Sequence, residues 1–241
     1  VAENKDKLNG NVLMFFQPGE EGHDGAGHML AQNMHMVSGE KPIAAYGLHV
    51  FSLPEPGIFM TRKDTLMASA GDMIVKISGR GGHGSMPWTA QDPITGMIEI
   101  LSTMQSYIAK NIDALDPIVV NVGWIKAGDD HTTNIIPETV SFGATVRSFS
   151  KKGYADTREK LPAFITKMAE SMGLSAEVEF SPATKVLINH HQPVDRVEAL
   201  TKEMFGAERY FNMPAPIPGG EDFASILEEI PGAFVFLGAA Y

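Results

Sequence analysis

Hydrophobic residues are distributed differently at the two ends of the chain and in its middle. Residues 12–16, 43–50 and 233–237 are continuous apolar runs, which are typical of strands buried on both faces of an α/β layer. Apolar residues at helical spacing over 195–205 and 222–230 predict two helices near the last of these strands. The two ends of the chain therefore predict parts of one α/β domain.

The middle of the chain predicts six shorter elements that belong to a different fold. In chain order they are strand 72–78, helix 92–111, strand 118–125, strand 139–146, helix 154–172 and strand 175–180. This β-α-β-β-α-β order is that of the ferredoxin-like arrangement, a four-stranded antiparallel sheet with two helices on one face. Pro162 is expected to kink or divide the second helix, because proline lacks the N–H that a helix interior requires.

The predicted fold class is thus α/β, with a ferredoxin-like (βαββαβ) domain inserted into a larger α/β domain. The predicted domains are an α/β catalytic domain over 1–69 and 185–241, and an inserted lid over 70–184.

Composition and charge narrow the function classes. Hydrophobic residues make up 44% of the chain and charged residues 20%, which excludes a disordered segment. The net charge of -10, without a Lys/Arg cluster, argues against a nucleic-acid partner. No apolar run approaches the roughly 20 residues of a bilayer span, and no signal peptide opens the chain, so no membrane partner is expected and the predicted location is cytoplasmic. Because cysteine is absent, disulfides and Cys-based zinc sites are excluded within the chain.

Two adjacent carboxylates, Glu20 and Glu21, follow the first apolar run after a Pro-Gly turn. Active sites of α/β folds lie at the carboxyl ends of strands, so one carboxylate is suited to bind a metal and the other to move a proton. The alternative is a solvated acidic turn. His49, at the end of the second run, adds an imidazole, and carboxylates with imidazole suit Zn²⁺, or Mn²⁺ and Co²⁺. The alternative for His49 is a core or loop histidine whose ring nitrogens are already hydrogen-bonded within the protein.

Three residues of the middle region are further candidates. The glycine-rich segment 79–87 is suited to hold His83 outward as a donor to a developing oxyanion. A phosphate cradle and a plain surface loop are the alternatives for that segment. Asn134 offers an amide and Arg147 a bidentate fork for a carboxylate. A turn residue and a surface salt bridge are the respective alternatives. Glu221 and Asp222 are interpreted as the start of a helix, with Asp222 capping it.

Five segments, taken together, resemble one family: the dinuclear-metal aminoacylase and carboxypeptidase clan of metallopeptidases. The similarity is to its amidohydrolase branch, which includes hippurate hydrolases and auxin-conjugate hydrolases. The segments run in the family's order over nearly the whole chain; they are Phe16-Gln17-Pro18-Gly19-Glu20-Glu21-Gly22, Gly47-Leu48-His49-Val50, Gly79-Arg80-Gly81-Gly82-His83-Gly84-Ser85-Met86-Pro87, Thr133-Asn134-Ile135-Ile136-Pro137-Glu138 and Gly220-Glu221-Asp222-Phe223. Each segment by itself is weak evidence for the family, but five segments in the family's order are strong evidence.

The resemblance implies a role for each candidate. Glu20 is expected to be the general base, and Glu21 and His49 ligands of two divalent metal ions. His83 is expected to reach a substrate carbonyl, often in the partner subunit's site. Asn134 and Arg147 are expected to contact the substrate, with Arg147 suited to its free carboxylate. The implied activity is hydrolysis of N-acyl amino acids or small peptide conjugates by a homodimer joined through its lid.

The family also carries ligands in a segment before the glutamate pair and a histidine after the final strand. Neither is found in these 241 residues, and the chain begins with Val1 rather than Met. The sequence is therefore predicted to be part of a longer enzyme. The competing hypothesis is a non-catalytic dimerisation module with an incomplete metal site.

Overall fold

The computed structural model describes residues 2–240, and its elements are numbered here along the chain. The helices are α1 (Glu20–His23), α2 (Gly25–Ala31), α3 (Pro93–Asn111), α4 (Lys151–Ser171), α5 (His191–Phe205) and α6 (Phe223–Glu229). The strands are β1 (Ala45–Phe51), β2 (Phe59–Thr61), β3 (Asp64–Met67), β4 (Ser69–Ser78), β5 (Gly82–His83), β6 (Ile118–Ala127), β7 (Ile135–Ile136), β8 (Thr139–Ser148), β9 (Ser175–Phe180), β10 (Leu187–Asn189), β11 (Tyr210–Asn212) and β12 (Gly232–Gly238). Short 3-10 helices cover Ala2–Lys7, Met34–Met36, Pro87–Thr89 and Ala207–Arg209. None of the described helices combines the length and apolar composition of a bilayer span.

The chain folds into two compact units. Unit 1 contains the residues up to Leu66, Leu187–Pro216 and the residues from Glu221 onward, and unit 2 contains Met67–Val186 with Ile217–Gly220. The interruption of unit 1 by unit 2 means that its sheet is assembled from distant parts of the sequence.

The sheet of unit 1 has the strand order β1-β12-β2-β11. β1 runs parallel to β12, with His49 paired to Phe236, while β12 and β2 are antiparallel. Phe234 and Phe236 on β12 are buried, as expected for a central strand. A second apolar cluster joins Ala26 of α2 to Ile226 and Ile230 at α6. This cluster fixes α6 beside the segment that carries the two glutamates.

A buried amide connects three strands of unit 1. Asn189 on β10 donates to Thr61 Oγ1 at 2.9 Å and to the Phe234 carbonyl at 3.2 Å, and its Oδ1 accepts from the Phe234 N–H at 2.7 Å. Because every polar atom of the amide has a partner, the residue can be buried without an unpaired group.

Two predictions for unit 1 are wrong. Residues 12–16 were predicted as a buried strand, but they are assigned neither strand nor helix, and Phe16 is 83% exposed. Only alternate residues face inward; Phe15 packs against the cluster between α2 and α6. Residues 43–50 do form a strand, β1, but it lies at the edge of the sheet with Leu48 and Val50 exposed. A continuous apolar run does not distinguish a central strand from an edge strand or an extended segment.

Unit 2 is built on a four-stranded antiparallel sheet with the order β6-β8-β4-β9. Its elements follow as β4, α3, β6, β8, α4 and β9, and both helices pack on one face of the sheet. The core between them contains Met73, Val75, Ile77, Ile100, Met104, Phe142, Leu161 and Ile165. A smaller ladder pairs β5 with β7, so that His83 lies opposite Ile135.

Two helices differ from their predictions. α4 continues as one helix through Pro162, so of the two expected effects of this proline, a kink or a division, the division does not occur. Its N-cap is Ser150, whose side chain accepts from the Gly153 N–H at 2.8 Å. The helix predicted over 195–205 begins earlier, because α5 starts at His191. Pro193 lies in the first turn of that helix, where a missing N–H has no consequence.

Candidate active site

The two glutamates lie on a tight turn, residues 17–26, which we call the glutamate turn. Its centre is α1, a four-residue helix bounded by Gly19 and Asp24, both in the left-handed region with φ of 65° and 46°. The turn closes so tightly that a side-chain carbon at Gly25 would lie 1.5 Å from the Pro18 carbonyl oxygen. Glycine is therefore required at Gly25 by the close approach of the two backbones.

Glu20 is half-buried and has a perturbed acidity. Burial is the largest cause that raises the pKa of its carboxyl above the ordinary value, and the charges of Asp222 and Glu21 raise it further. His49 acts in the opposite direction. A carboxylate with a raised pKa is a better base than an exposed one, so Glu20 is suited to accept a proton.

Glu221 is the most strongly shifted acid of the site. It is 5% exposed, and burial raises its pKa to about 7, opposed by the hydrogen bond that it accepts from the Phe223 N–H at 3.2 Å. The charges of Glu20 and Asp222 raise this pKa further, and His49 lowers it. These effects show that four titratable side chains from three separate segments of unit 1 share one small region.

His49 presents one ring nitrogen for coordination. Its Nδ1 lies 2.5 Å from the Val50 carbonyl oxygen, and a carbonyl only accepts, so Nδ1 carries the proton in the neutral ring. Nε2 then keeps its lone pair, which is the arrangement of a metal-binding histidine. The ring lies against Phe234 and Phe236, with centroids 6.5 and 6.2 Å away.

The donor set fits a divalent cation. Glu20, Glu21, Glu221 and the His49 imidazole are oxygen and nitrogen ligands of the kind that Zn²⁺ and Mn²⁺ accept. The charges of Asp222 and Glu21 raise the pKa of Glu20, and those of Glu20 and Asp222 raise the pKa of Glu221, so acidic groups are crowded there and a cation would compensate their charge. Among the described residues, three donor atoms lie within 4.8 Å of one another only at Asp129, Asp130 and His131, all of them exposed. The donors of the glutamate turn are thus neighbours rather than a closed cage.

The candidates in unit 2 form a separate set. His83 Nδ1 accepts from the Ser85 N–H at 3.2 Å and lies 2.7 Å from Ser85 Oγ. Since Nδ1 accepts, the proton of the neutral ring is on Nε2, and the exposed edge of the imidazole is a donor. Asn134 is close in space, because the Gly84 N–H donates to the Asn134 carbonyl at 2.7 Å.

Arg147 lies on β8 and is half-buried. Its Nη1 donates to the Gly71 carbonyl at 3.2 Å and to the Val146 carbonyl at 3.0 Å. These two bonds hold the guanidinium against the sheet of unit 2.

The structure assigns Asp222 a contact that the sequence pattern did not indicate. It occupies the N-cap position of α6, but its side chain makes no capping bond there, so the predicted cap is wrong. One carboxylate oxygen accepts instead from Gln17 Nε2 and the other from the Ala26 N–H at 3.0 Å. The only signal in the sequence was an acid beside Glu221, because the partners of Asp222 are about 200 positions away.

Comparison with known proteins identifies the family. The model of the peptidase family M20/M25/M40 matches residues 1–241, and the chain belongs to this family. It is 31% identical to the "IAA-amino acid hydrolase ILR1-like 4" of Arabidopsis thaliana and 29% identical to the "Hippurate hydrolase" of Campylobacter jejuni. The alignments cover 99% and 95% of this chain. They cover 53% and 59% of the relatives, so the chain spans little more than half their length.

The similarity of the fold to a solved structure supports the same family assignment. The Bacillus subtilis YXEP protein, described as a dinuclear metal-binding peptidase of the M20 family, matches with a TM-score of 0.72 and 25% identity. The match covers 92% of this chain and 54% of that one. The resemblance inferred from the five sequence segments is thus confirmed, and the chain belongs to a family of hydrolases.

Proposed function

We propose that the protein is a metal-dependent amidohydrolase that cleaves the amide bond of N-acyl amino acids or small peptide conjugates with water. The observation that carries the proposal is the convergence of Glu20, Glu21 and His49 around Glu221 in unit 1 of a chain that belongs to the M20 family. The names of the relatives, an amino-acid conjugate hydrolase and a hippurate hydrolase, support an amide of this class.

In this proposal Glu21 and His49 hold metal and Glu20 moves protons. Two divalent ions, Zn²⁺ or alternatively Mn²⁺ or Co²⁺, would polarise the acyl carbonyl and lower the pKa of a water. Glu20 accepts a proton from the water that attacks the acyl carbon, and returns it to the amine as the carbon–nitrogen bond breaks. The raised pKa of Glu20 favours both transfers, because it brings base and acid strength closer to neutral pH.

We assign unit 2 the role of a ferredoxin-like lid that binds substrate. The Ser85 N–H donates to His83 Nδ1, so the proton of the neutral ring is on Nε2. His83 is therefore suited to donate from Nε2 to the acyl oxygen. Asn134 directly precedes β7, the strand paired with the β5 strand that carries His83, and it offers an amide to the same substrate. Arg147 is suited to pair with a free carboxylate, and its bonds to two backbone carbonyls hold the guanidinium in place.

We further propose that the protein is a homodimer joined through unit 2. Its sheet has two open edges, β6 and β9. β9 exposes Glu177 and Glu179, and like charges facing across a two-fold axis would oppose self-pairing. β6 instead exposes Val119, Trp124 and Ile125, so it is the edge that suits a second copy.

Metal binding and amine release test the proposal together. We expect the metal-free chain to bind Zn²⁺ or Co²⁺ stoichiometrically in calorimetric titrations, and Glu21→Ala or His49→Ala to abolish this binding. His131→Ala is the matched control, because it disrupts the exposed triad Asp129, Asp130 and His131 in unit 2 and should leave the titration unchanged. The metal-loaded whole protein should release amine from a panel of N-acyl amino acids, and Glu20→Gln should lower the turnover by about 100-fold or more.

The alternative is a non-catalytic dimerisation module. It would be favoured by a chain that forms dimers but binds no metal, in a whole protein that releases no amine from the panel. Loss of metal binding in His131→Ala, with Glu21→Ala unaffected, would instead place the cation at the exposed triad and contradict the assignment of Glu21.

A further inference from the structure

Asp222 is a buried carboxylate that the proposed reaction does not use. It is 0% exposed, and it lies one residue before α6 and directly after Glu221. Its two oxygens accept from two different donors, the Gln17 side-chain amide and the Ala26 backbone N–H. Buried carboxylates are retained where hydrogen bonds satisfy them, so both contacts are needed for this burial.

The two donors are the two ends of the glutamate turn. Gln17 is its first residue and Ala26 its last, and α1 with Glu20 and Glu21 lies between them. A helix of four residues has no stability of its own, so the position of α1 depends on how the ends of the turn are held. The close approach of Gly25 to Pro18 joins the two ends to each other, and Asp222 joins both to α6.

An apolar contact supports this attachment. Ala26, whose N–H donates to Asp222, also packs against Ile226 and Ile230 in the cluster beside α6. The end of the turn at Ala26 is therefore held both by a hydrogen bond to Asp222 and by a buried side chain.

We propose that Asp222 is a positioning residue, whose buried carboxylate holds both ends of the glutamate turn and thereby sets where Glu20 and Glu21 stand relative to His49. Its chemical consequence rests on the proposed function, whereas its structural consequence can be measured in the metal-free chain. Asp222 touches neither substrate nor metal in this assignment.

The test compares four variants by two measurements. The first measurement is hydrogen exchange of the Ala26 amide and its neighbours in the metal-free chain, followed by NMR. The second is the affinity for Co²⁺. Asp222→Ala removes both bonds, and we expect faster exchange across the turn and a metal affinity about 10- to 100-fold weaker. Gln17→Ala removes one bond only and should give a smaller effect in both measurements, which also covers the case that Asp222→Ala fails to fold.

The variant Asp222→Asn distinguishes the effect of the hydrogen bonds of Asp222 from the effect of its negative charge. In Asp222→Asn the amide oxygen can still accept from the Ala26 N–H, and the Gln17 amide can rotate to accept from the new NH₂ group. Both attachments survive while the negative charge is lost, so exchange across the turn should stay within about twofold of the unmodified chain, and the Co²⁺ affinity should fall less than in Asp222→Ala. Equal losses in Asp222→Asn and Asp222→Ala would show that Asp222 acts through its charge and would overturn the proposal.

Asn189→Ala is the control for lost stability alone. Asn189 is equally buried in unit 1, and the bonds that its side chain makes join β10 to β2 and β12 rather than to the glutamate turn. We expect this variant to unfold more easily with unchanged Co²⁺ affinity. Unaltered exchange and affinity in Asp222→Ala would refute the positioning role. If the unmodified chain binds no Co²⁺, the metal site of the proposed function is refuted, and the exchange of the Ala26 amide still decides the role of Asp222.

Discussion

At the scale of single residues, the sequence indicated which groups carry chemistry but not how their surroundings change them. Glu20, Glu21 and His49 were predicted from strand-end positions and family motifs, and the structure places His49 close enough to Glu20 to lower the pKa of its carboxyl. Glu221 was interpreted as an ordinary acid at a helix start. Its burial depends on residues 200 positions away, so no local pattern could have predicted a pKa of about 7.

The shifted acid predicts a pH dependence of the metal-free protein. The pKa of Glu221 is about 7 in the folded state and 4.5 unperturbed, so the folded state binds more protons between these values. Stability therefore falls as the pH rises from about 4.5 to 7, by at most about 3 kcal/mol. Glu221→Gln keeps the acceptor for Phe223 without the charge, and should raise the free energy of unfolding at pH 8 in the presence of a chelator.

The measurement is urea unfolding at pH 5 and pH 8. Glu203→Gln, which removes an exposed carboxylate from α5, is the control and should leave the difference between the two pH values intact. Identical differences for Glu221→Gln and the unmodified protein would mean that Glu221 ionises freely in the folded state.

At the scale of elements, periodic patterns predicted the long helices well, but they predicted the strands of unit 1 and the start of α5 poorly. α3 and α4 lie where their apolar spacing predicted, because each buries one continuous face on a sheet. Residues 12–16 failed because strand formation needs a neighbour, which a pattern within one segment does not reveal. α5 was predicted over 195–205 but begins at His191, because the first turn of a helix tolerates Pro193.

Pro162 gives a prediction at this scale. It lies in the middle of α4, where its missing N–H leaves the carbonyl of Arg158 without its helical partner. Pro162→Ala should raise the free energy of unfolding of unit 2 by about 2 kcal/mol, the gain in helix propensity less the entropy returned to the unfolded chain. Denaturation followed by far-ultraviolet circular dichroism measures it.

Pro93→Ala is the matched control, because Pro93 occupies the first position of α3, where no hydrogen bond is lost. That variant should show no gain. An equal gain from both substitutions would indicate that the gain at Pro162 does not come from restoring the hydrogen bond inside α4.

At the scale of the whole molecule, five short motifs predicted the family, although most of the chain between them carries no motif. The motifs carry the residues that are proposed to act on the substrate, and so they identify the family. They do not contain the contacts that hold those residues, such as the attachment of the glutamate turn by Asp222. The predicted domains rest on a change of hydrophobic pattern along the sequence and stay a prediction; the chain itself folds into two compact units, of which unit 2 has its own buried core.

The last prediction concerns assembly through unit 2. If β6 pairs with β6 of a second copy about a two-fold axis, an added positive charge lies on both of the paired edges and disfavours the dimer. Val119→Lys should therefore shift the protein from dimer to monomer in sedimentation velocity experiments, by about tenfold or more in dissociation constant. Ser175→Lys adds the same charge to the opposite edge, β9, and should leave the dimer intact. A dimer that resists Val119→Lys but dissociates with Ser175→Lys would show that the copies meet at β9, and a protein that is monomeric without any substitution would remove the dimer from the proposal.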